Sequence, residues 1–276
     1  MYQIIKIFSY PFVLRAIIAG SLICLCAALL GVNLVLKRFS MIGDGLSHVS
    51  FGAAAIALAL GVVPLAFSIP IVVIAAFLLL RVSNNGKIKG DAAIAIISSS
   101  ALAIGVIVAT LTTGMNTDIN NYMFGSILAL EKSDVFFAVI SSVLIILVYF
   151  LFYEKIFSVS FDENFAKASG INVKIYNSLT AVMTAVITVV GMRLMGALLI
   201  SSLITFPALS SMRICKRYKT VVIFSAVISV LSFFAGMVLS LFFDMPAGAS
   251  IVVVNLIIFL ILSLNEKIRK SHCDEE

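Results

Sequence analysis

The sequence predicts an all-α membrane protein that crosses the bilayer about nine times. The 276-residue chain is 62% hydrophobic and 12% charged, whereas soluble domains average about 45–50% apolar and 25% charged residues. Its mean hydropathy is +1.19. The apolar runs approach the length of about 20 residues that a helical span needs, and they lack the alternation of barrel strands. Short basic loops separate the runs, as expected for a polytopic helical protein.

The apolar runs divide the chain into nine predicted spans within one transmembrane domain, residues 16–265. Residues 1–15 are aromatic and weakly amphipathic, and they are predicted to lie along the membrane interface. Residues 266–276 form a tail. Residues 122–130 are too short to span, and we expect them to dip into the bilayer or to pack inside the bundle. The predicted spans are residues 16–36, 41–60, 65–80, 92–111, 135–153, 175–191, 194–212, 221–243 and 247–264.

The charges between the spans predict an N-terminus outside and a C-terminus in the cytoplasm. Lysine and arginine follow the first, third, fifth, seventh and ninth spans, beginning with Lys37 and Arg38, and such residues mark cytoplasmic loops. Arg193 is the exception, in a break between spans six and seven, and is expected to extend towards the headgroups. The acids near outer loops are expected to be solvated; they are Asp118, Asp134 and Asp244.

Composition and motifs exclude several classes of function. The net charge of +6 is explained by the orienting loops and does not indicate nucleic acid. The chain lacks the phosphate-binding pattern G-x-x-x-x-G-K-[ST], so ATP hydrolysis would belong to another polypeptide and the chain is not expected to be an enzyme. Its four cysteines offer no disulfide framework. His272 and Cys273 lie in the acidic tail, which we interpret as solvated charge.

Asp44 and His48 are the candidate metal ligands, near the start of the second span. A spacing of four residues places both side chains on one face of a helix, ~6 Å apart along its axis. A carboxylate and an imidazole can bind one divalent transition metal, and charged residues inside spans usually serve a pathway or a partner. A polar pair that holds helices together is the alternative. Asp44 follows Arg38 by only about six residues, ~9 Å along a helix, so the site lies in the inner half unless Lys37 and Arg38 sit in a protein-lined crevice.

Residues 161–170 are predicted to form a short cytoplasmic helix. Asp162 and Glu163 suit its N-terminus, Lys167 its last turn and Gly170 its C-cap. Its apolar face would consist of Phe161, Phe165 and Ala168. Such a face indicates either a partner protein with a groove or a helix that lies on the lipid surface.

Four stretches of the chain resemble the membrane permease subunit of bacterial ABC importers for zinc, manganese and related divalent metals. Residues 37–48, KRFSMIGDGLSH, are similar to the family pattern G-D-x-[LI]-S-H. Residues 161–171, FDENFAKASGI, resemble D-E-x-[FY]-A-x-x-x-G. Residues 196–207, GALLISSLITFP, resemble G-x-L-L-[VI]-[ST]-[AS]-L-x-x-x-P, and residues 124–128, FGSIL, form the fourth match. The four occur in the family's order, and the resemblance covers most of the chain from Pro11 onward.

The resemblance implies a type II ABC importer-like fold in a bacterial inner (cytoplasmic) membrane. It implies that a second copy of the permease pairs with the first, that each binds a cytoplasmic ATPase subunit, and that an extracytoplasmic metal-binding protein delivers the ion. Asp44 and His48 match residues of the family's ion path. Residues 161–171 match the ATPase coupling helix, with Phe161, Asp162, Glu163, Phe165, Ala168 and Gly170 as its site residues. No permanently bound cofactor is expected, and Zn²⁺ or Mn²⁺ is the transported substrate.

The family often has proline a few residues after the histidine, and this chain has Gly52 there. Glycine also disrupts helices, though less than proline, so a break in the second span remains open at this stage. Residues 41–53, MIGDGLSHVSFGA, resemble zinc importers more than manganese importers, which favours zinc as the substrate.

Three alternative functions compete with metal-ion import. A permease for iron chelates or cobalamin would not need the Asp44 and His48 pair. An ion-coupled secondary carrier would need carboxylates on several spans, and this chain has one clear intramembrane acid. An intramembrane metalloprotease would need a cluster such as H-E-x-x-H, and no second histidine lies near His48.

Overall fold

The structure is a computed structural model that describes residues 11–84, 90–112, 125, 132–243 and 245–273. Every regular element in these ranges is an α-helix. Nine of the helices are long and apolar enough to cross a membrane, so the predicted all-α fold with nine spans is confirmed for this part of the chain. The orientation of the termini stays a prediction. The helices are α1 (Pro11–Leu36), α2 (Ile42–Ala59), α3 (Pro64–Asn84), α4 (Gly90–Leu111), α5 (Lys132–Leu151), α6 (Tyr153–Phe161), α7 (Glu163–Ala168), α8 (Val173–Met195), α9 (Ala197–Ile214), α10 (Tyr218–Phe243) and α11 (Ala247–Cys273).

Several helix ends differ from the predicted spans by a few residues or more, and two of these differences matter for the fold. Helix α1 begins at Pro11, inside the segment 1–15 that was assigned to the interface. Helix α8 runs through Arg193 to Met195, so the predicted break at Arg193 is wrong. The break falls at Gly196, whose φ of 90° and ψ of 155° favour glycine because a Cβ would be strained there. The predicted half-helix 122–130 lies outside the described residues, apart from Gly125.

The helices form an enclosed centre and an outer ring. In α2 and α8, 72% of the most apolar window is buried inside the protein, compared with 22% in α4 and 28% in α3, α5 and α11. The outer helices therefore present apolar side chains to lipid, while α2, the helix of Asp44 and His48, is largely surrounded by protein. Helix α2 packs mainly against α4 and α3, and also against α8 and α9.

Gly52 allows α2 and α4 to approach closely. A Cβ at Gly52 would lie only 2.6 Å from the carbonyl oxygen of Ala101, and a Cβ at Gly105 would lie 2.9 Å from Cα of Gly52. Small residues permit this kind of contact between membrane helices. Helix α2 continues without interruption through Gly52. Gly52 therefore allows close helix packing in this chain and does not break the second span.

A buried polar network joins α1, α5 and α10. The hydroxyl of Tyr218 donates to Oδ1 of Asn33 at 2.7 Å and lies 3.0 Å from the hydroxyl of Tyr149, which accepts from Nδ2 of Asn33 at 3.2 Å. Each of the three side chains thus contacts the other two. Hydrogen bonds of this kind link spans where lipid offers no polar partner.

The predictions that Asp134 is solvated and that Arg193 extends towards the headgroups are wrong, because the two side chains form an ion pair. Asp134 is 6% exposed at the first turn of α5, and its Oδ1 lies 2.9 Å from Nε of Arg193 near the end of α8. The pair holds α5 against α8 just before the break at Gly196. At the same place, the backbone of Gly125 with its φ of 77° lies so close to Met195 that a Cβ would meet the carbonyl oxygen of Met195 at 2.2 Å.

Candidate functional site

Asp44 lies in the first turn of α2, flanked by two glycines that seat the helix. A Cβ at Gly43 would lie 2.7 Å from a methyl group of Ile204 in α9, and a Cβ at Gly45 would lie 2.7 Å from a methyl group of Ile94 in α4. The glycines therefore let α2 sit closely between α9 and α4, with Asp44 between the two contacts. A carboxylate in the first turn is also favoured by the positive end of the helix dipole.

The side chains of Asp44 and His48 meet as the spacing predicted. Oδ2 of Asp44 lies 3.7 Å from Nε2 of His48, and the two side chains are 42% and 23% exposed. Two ligands bound to one tetrahedral Zn²⁺ at about 2.1 Å would lie about 3.4 Å apart. The observed separation is close to that value, so both atoms can reach one ion with a small adjustment.

The pair supplies two ligands, and a closed zinc site uses four. Among the described residues, no group of three or more His, Cys, Asp or Glu side chains could hold a metal ion. Water or groups from outside this set would complete the coordination. Partial coordination suits transient binding, because a pore must bind an ion weakly enough to release it.

The turn before α2 connects the pair to the rest of the bundle. Arg38 has a φ of 61°, which is uncommon for a residue other than glycine. The hydroxyl of Thr205 in α9 donates to the carbonyl oxygen of Ser40 at 3.3 Å. Through this contact the stretch 196–207 lies against the turn that leads into the stretch with Asp44 and His48.

Lys37 lies in a protein-lined position, 12% exposed, and contacts two other elements. Its Nζ lies 3.2 Å from Oε1 of Glu163 and also donates to Oδ1 of Asn177 in α8. Nδ2 of Asn177 donates to the same Glu163 oxygen at 2.9 Å. We call this group the Lys37–Glu163–Asn177 cluster. From the sequence, Lys37 is a marker of orientation that could also sit in a protein-lined crevice, but no local pattern relates it to residues more than 120 positions away.

Burial and charge act in opposite directions on the pKa values within the cluster. Burial lowers the pKa of Lys37, while Glu163 opposes that effect. Burial alone would raise the pKa of Glu163, but the hydrogen bond from Asn177 and the charge of Lys37 outweigh it, so the pKa of Glu163 lies below its usual value. Glu163 therefore stabilises the fold at pH values above its ordinary range, and this contribution is lost as the pH falls through its lowered pKa.

The short helix predicted at 161–170 is present as α7, but it covers only Glu163–Ala168, and Phe161 is the last residue of α6. The Asp162 carboxylate accepts from the backbone N–H groups of Asn164 at 2.8 Å and Phe165 at 3.1 Å, as an N-cap does. Gly170 has a φ of 78° after the end of the helix. The predicted apolar face is exposed: Phe161 is 74% and Phe165 is 64% exposed, and Ala168 is exposed as well.

Some sequence candidates cannot be placed. Asp118, Asp244 and the side chains of His272 and Cys273 lie outside the described residues. The interpretation of these residues as solvated charge stays a prediction, except that Asp134, grouped with them, is buried and paired.

The model of the ABC 3 transport family matches residues 9–266. The chain belongs to the ABC 3 transport family. Among its relatives, the chain is 29% identical over 254 residues to the high-affinity zinc uptake system membrane protein ZnuB of Haemophilus influenzae, covering 92% of this chain and 97% of that protein. It is 28% identical over 253 residues to the manganese import system permease protein ScaB of Streptococcus gordonii, covering 92% and 91%.

Two solved structures share the fold of this ABC 3 family member. PsaBC from Streptococcus pneumoniae in complex with Fab matches with a TM-score of 0.84 and 29% identity, covering 94% of this chain and 93% of that chain. An inward-facing putative metal-chelate type ABC transporter matches with a TM-score of 0.73 at 16% identity, covering 91% and 85%. The second likeness concerns the fold alone.

Proposed function

We propose that this chain is the membrane permease subunit of an ATP-driven importer that moves a divalent transition-metal ion, zinc first and manganese next, into the cytoplasm. The observation that carries the proposal is the Asp44 and His48 pair, 3.7 Å apart in a largely enclosed span of an ABC 3 family chain. Relatives named for zinc uptake and for manganese import both match along more than 90% of this chain. ATP hydrolysis belongs to a separate subunit in this proposal.

The pair acts as a transient station on the ion path. One carboxylate compensates only part of the charge of a 2+ ion, and water completes the coordination, so the ion is held without being trapped. An imidazole nitrogen and a carboxylate suit zinc, and in the general order of affinities zinc binds such sites more tightly than manganese. This chemistry supports zinc as the first choice of substrate.

The exposed surface formed by Phe161 at the end of α6 and by Phe165 and Ala168 on α7 is the proposed docking surface for the ATPase subunit. Phe161 at the end of α6 and Phe165 on the capped helix α7 are both exposed, and such phenylalanines are the kind of anchors that insert into a groove of a partner protein. A second copy of the chain and an extracytoplasmic metal-binding protein complete the proposed assembly. This arrangement places α7 in the cytoplasm of a bacterial cell, at the inner membrane surface.

The Lys37–Glu163–Asn177 cluster is the proposed link between α7 and the ion path. Lys37 is the first residue after α1 and is separated from α2 by only a short turn, so movement of α7 reaches the helix of Asp44 through this contact. The Lys37 side chain is 12% exposed and the Glu163 side chain 43% exposed, so the enclosed cation favours the arrangement of the helices that keeps this contact.

Glu163→Gln is expected to lower the number of ions transported per ATP hydrolysed several-fold. The substitution removes the charge that compensates the buried Lys37, since Asn177 offers only a neutral acceptor. The ratio is measured from metal uptake and phosphate release in the same proteoliposomes. Glu154→Gln is the control, because Glu154 is an exposed acid in the neighbouring helix α6. Equal ratios in the two variants would contradict the link.

The proposed function is tested by uptake in proteoliposomes that contain the permease, its ATPase and its binding protein. We expect ATP-dependent uptake of ⁶⁵Zn²⁺ and weaker uptake of ⁵⁴Mn²⁺. Uptake without ATP, driven by a proton or sodium gradient, would instead indicate a secondary carrier. Uptake of an iron chelate or cobalamin, with no uptake of free ions, would indicate the chelate permease.

A further inference from the structure

A groove of about 730 Å³ lies between the C-terminal end of α3, the short helix α7 and the start of α8. The proposed function uses Glu163 and Asn177 of its lining but assigns no ligand to the groove. Its walls are both apolar and charged, and the side chains that matter for the argument are Phe77, Leu80, Arg81, Lys167, Lys174 and Glu163.

The charge of the groove is strongly positive. Arg81, Lys167 and Lys174 come from three different helices and are all exposed. The one acid in the lining, Glu163, is already bonded to Lys37 and Asn177. Within the described part of the chain, no carboxylate lies within ion-pair distance of Arg81 or Lys174. The groove therefore presents uncompensated cations to an anionic ligand.

The apolar side of the groove continues into the lipid-facing surface of α3. Phe77 is 40% exposed, and along the same helix Leu78 and Ile74 are 50% and 58% exposed. Arg81 lies in the last turn of the apolar span, where the hydrocarbon ends. The matching ligand thus has an anionic head at the level of Arg81 and an apolar tail along α3.

The groove is separate from the proposed ATPase surface. Glu163 and Lys167 are four residues apart and share one side of α7, whereas Phe165 and Ala168, three residues apart, share the other side. A ligand in the groove leaves the phenylalanine face open. It also touches the side of α7 that carries the Lys37–Glu163–Asn177 cluster.

We propose that the groove binds an anionic phospholipid of the cytoplasmic leaflet, with its phosphate headgroup among Arg81, Lys167 and Lys174. Basic pockets between membrane helices on the cytoplasmic side bind such headgroups. The proposal rests on the proposed function only in placing α7 at the cytoplasmic surface. The bound lipid holds α7 against α3 and α8 and so favours the arrangement in which Glu163 contacts Lys37.

Native mass spectrometry of the purified full-length chain tests the proposal. The chain, held in detergent micelles, is incubated with equal amounts of phosphatidylglycerol and phosphatidylcholine, and the retained lipids are counted. We expect wild type to retain phosphatidylglycerol preferentially. The triple variant Arg81→Gln/Lys167→Gln/Lys174→Gln should lower that preference by at least about tenfold, because each cation near an anionic lipid contributes several-fold in affinity and the factors multiply.

The matched control is Lys216→Gln/Arg217→Gln/Lys219→Gln, which removes the same charge from another exposed basic loop. We expect this control to keep the preference within about twofold, since detergent micelles lack the leaflet potential that acts on all surface cations. Equal loss in both triple variants, or an unchanged preference in the groove variant, overturns the proposal. Loss of a dimer with unchanged lipid retention would instead identify the groove as an interface between copies.

A single substitution in the groove, and a comparison of lipid retention with metal uptake, separate the possible outcomes. Lys174→Gln alone changes a single exposed side chain, so it tests the groove even where the triple variant fails to fold; it should lower the preference several-fold, and an unchanged preference counts against the proposal. Lipid retention needs neither ATP nor a metal ion. Absence of metal uptake with the expected lipid retention would therefore overturn the proposed function and leave the lipid site standing.

Discussion

Asp44→Asn and His48→Gln are each expected to lower zinc uptake at least about tenfold while the subunits still assemble. Each variant removes one of the two ligands that the described chain offers to the ion. Even second-shell changes around metal ligands typically cost about 10- to 100-fold in affinity or activity, so the loss of a ligand itself should be at least as large. Asp44→Asn also removes the only negative charge of the pair, which leaves the 2+ ion without compensation.

The measurement is ⁶⁵Zn²⁺ uptake in proteoliposomes, with ATPase activity followed in parallel. Asp91→Asn is the control for the acid, because Asp91 is an exposed carboxylate in the first turn of α4, just as Asp44 lies in the first turn of α2. His272→Gln is the control for the histidine, since it is the only other histidine in the sequence. Normal uptake by both pair variants would show that Asp44 and His48 hold helices together and do not bind the ion.

The proximity of Asp44 and His48 could be predicted because it depends on one helix. A spacing of four residues determines which side chains share a face before any tertiary contact forms. The same holds for α7, where Asp162 and Gly170 mark the ends of the helix by capping chemistry that is local to the sequence. A spacing of four residues and local capping residues were therefore sufficient to predict the Asp44–His48 contact and the presence of a helix at α7.

The Lys37 contacts and the Asp134–Arg193 pair could not be predicted in the same way. Lys37 meets Glu163 across 126 positions of sequence, and Arg193 meets Asp134 across two different spans. Nothing in a single sequence specifies which spans become neighbours, and a charge near the end of a span is more often solvated. The sequence shows only that Lys37 and Glu163, and likewise Asp134 and Arg193, carry opposite charges near helix ends.

Gly52 shows a related difficulty. From sequence, a glycine in a span indicates either a break or a close contact between helices. Only the position of α4, which brings the carbonyl of Ala101 to within 2.6 Å of a hypothetical Cβ, distinguishes the two.

Arg193→Met is expected to destabilise the protein by about 3 kcal/mol, the largest effect on stability that we predict. The substitution keeps the size of the side chain but leaves the Asp134 carboxylate, 8% exposed, without its cation. Breaking a buried ion pair on one side typically costs about 3–5 kcal/mol, because a charge stays buried without compensation. Thermal unfolding in detergent should show a midpoint several degrees lower.

The double variant Asp134→Leu/Arg193→Met distinguishes the energetic cost of an uncompensated buried charge from the net contribution of the ion pair to stability. Replacing both partners of a buried ion pair by apolar residues is often neutral or even stabilising, so the double variant should be more stable than Arg193→Met alone. Lys132→Met, which removes an exposed cation from the same turn of α5, should change stability by less than about 0.5 kcal/mol. If the double variant is instead the least stable of the three, the pair contributes net attraction between α5 and α8, and its role beside the break at Gly196 is to hold those two helices together.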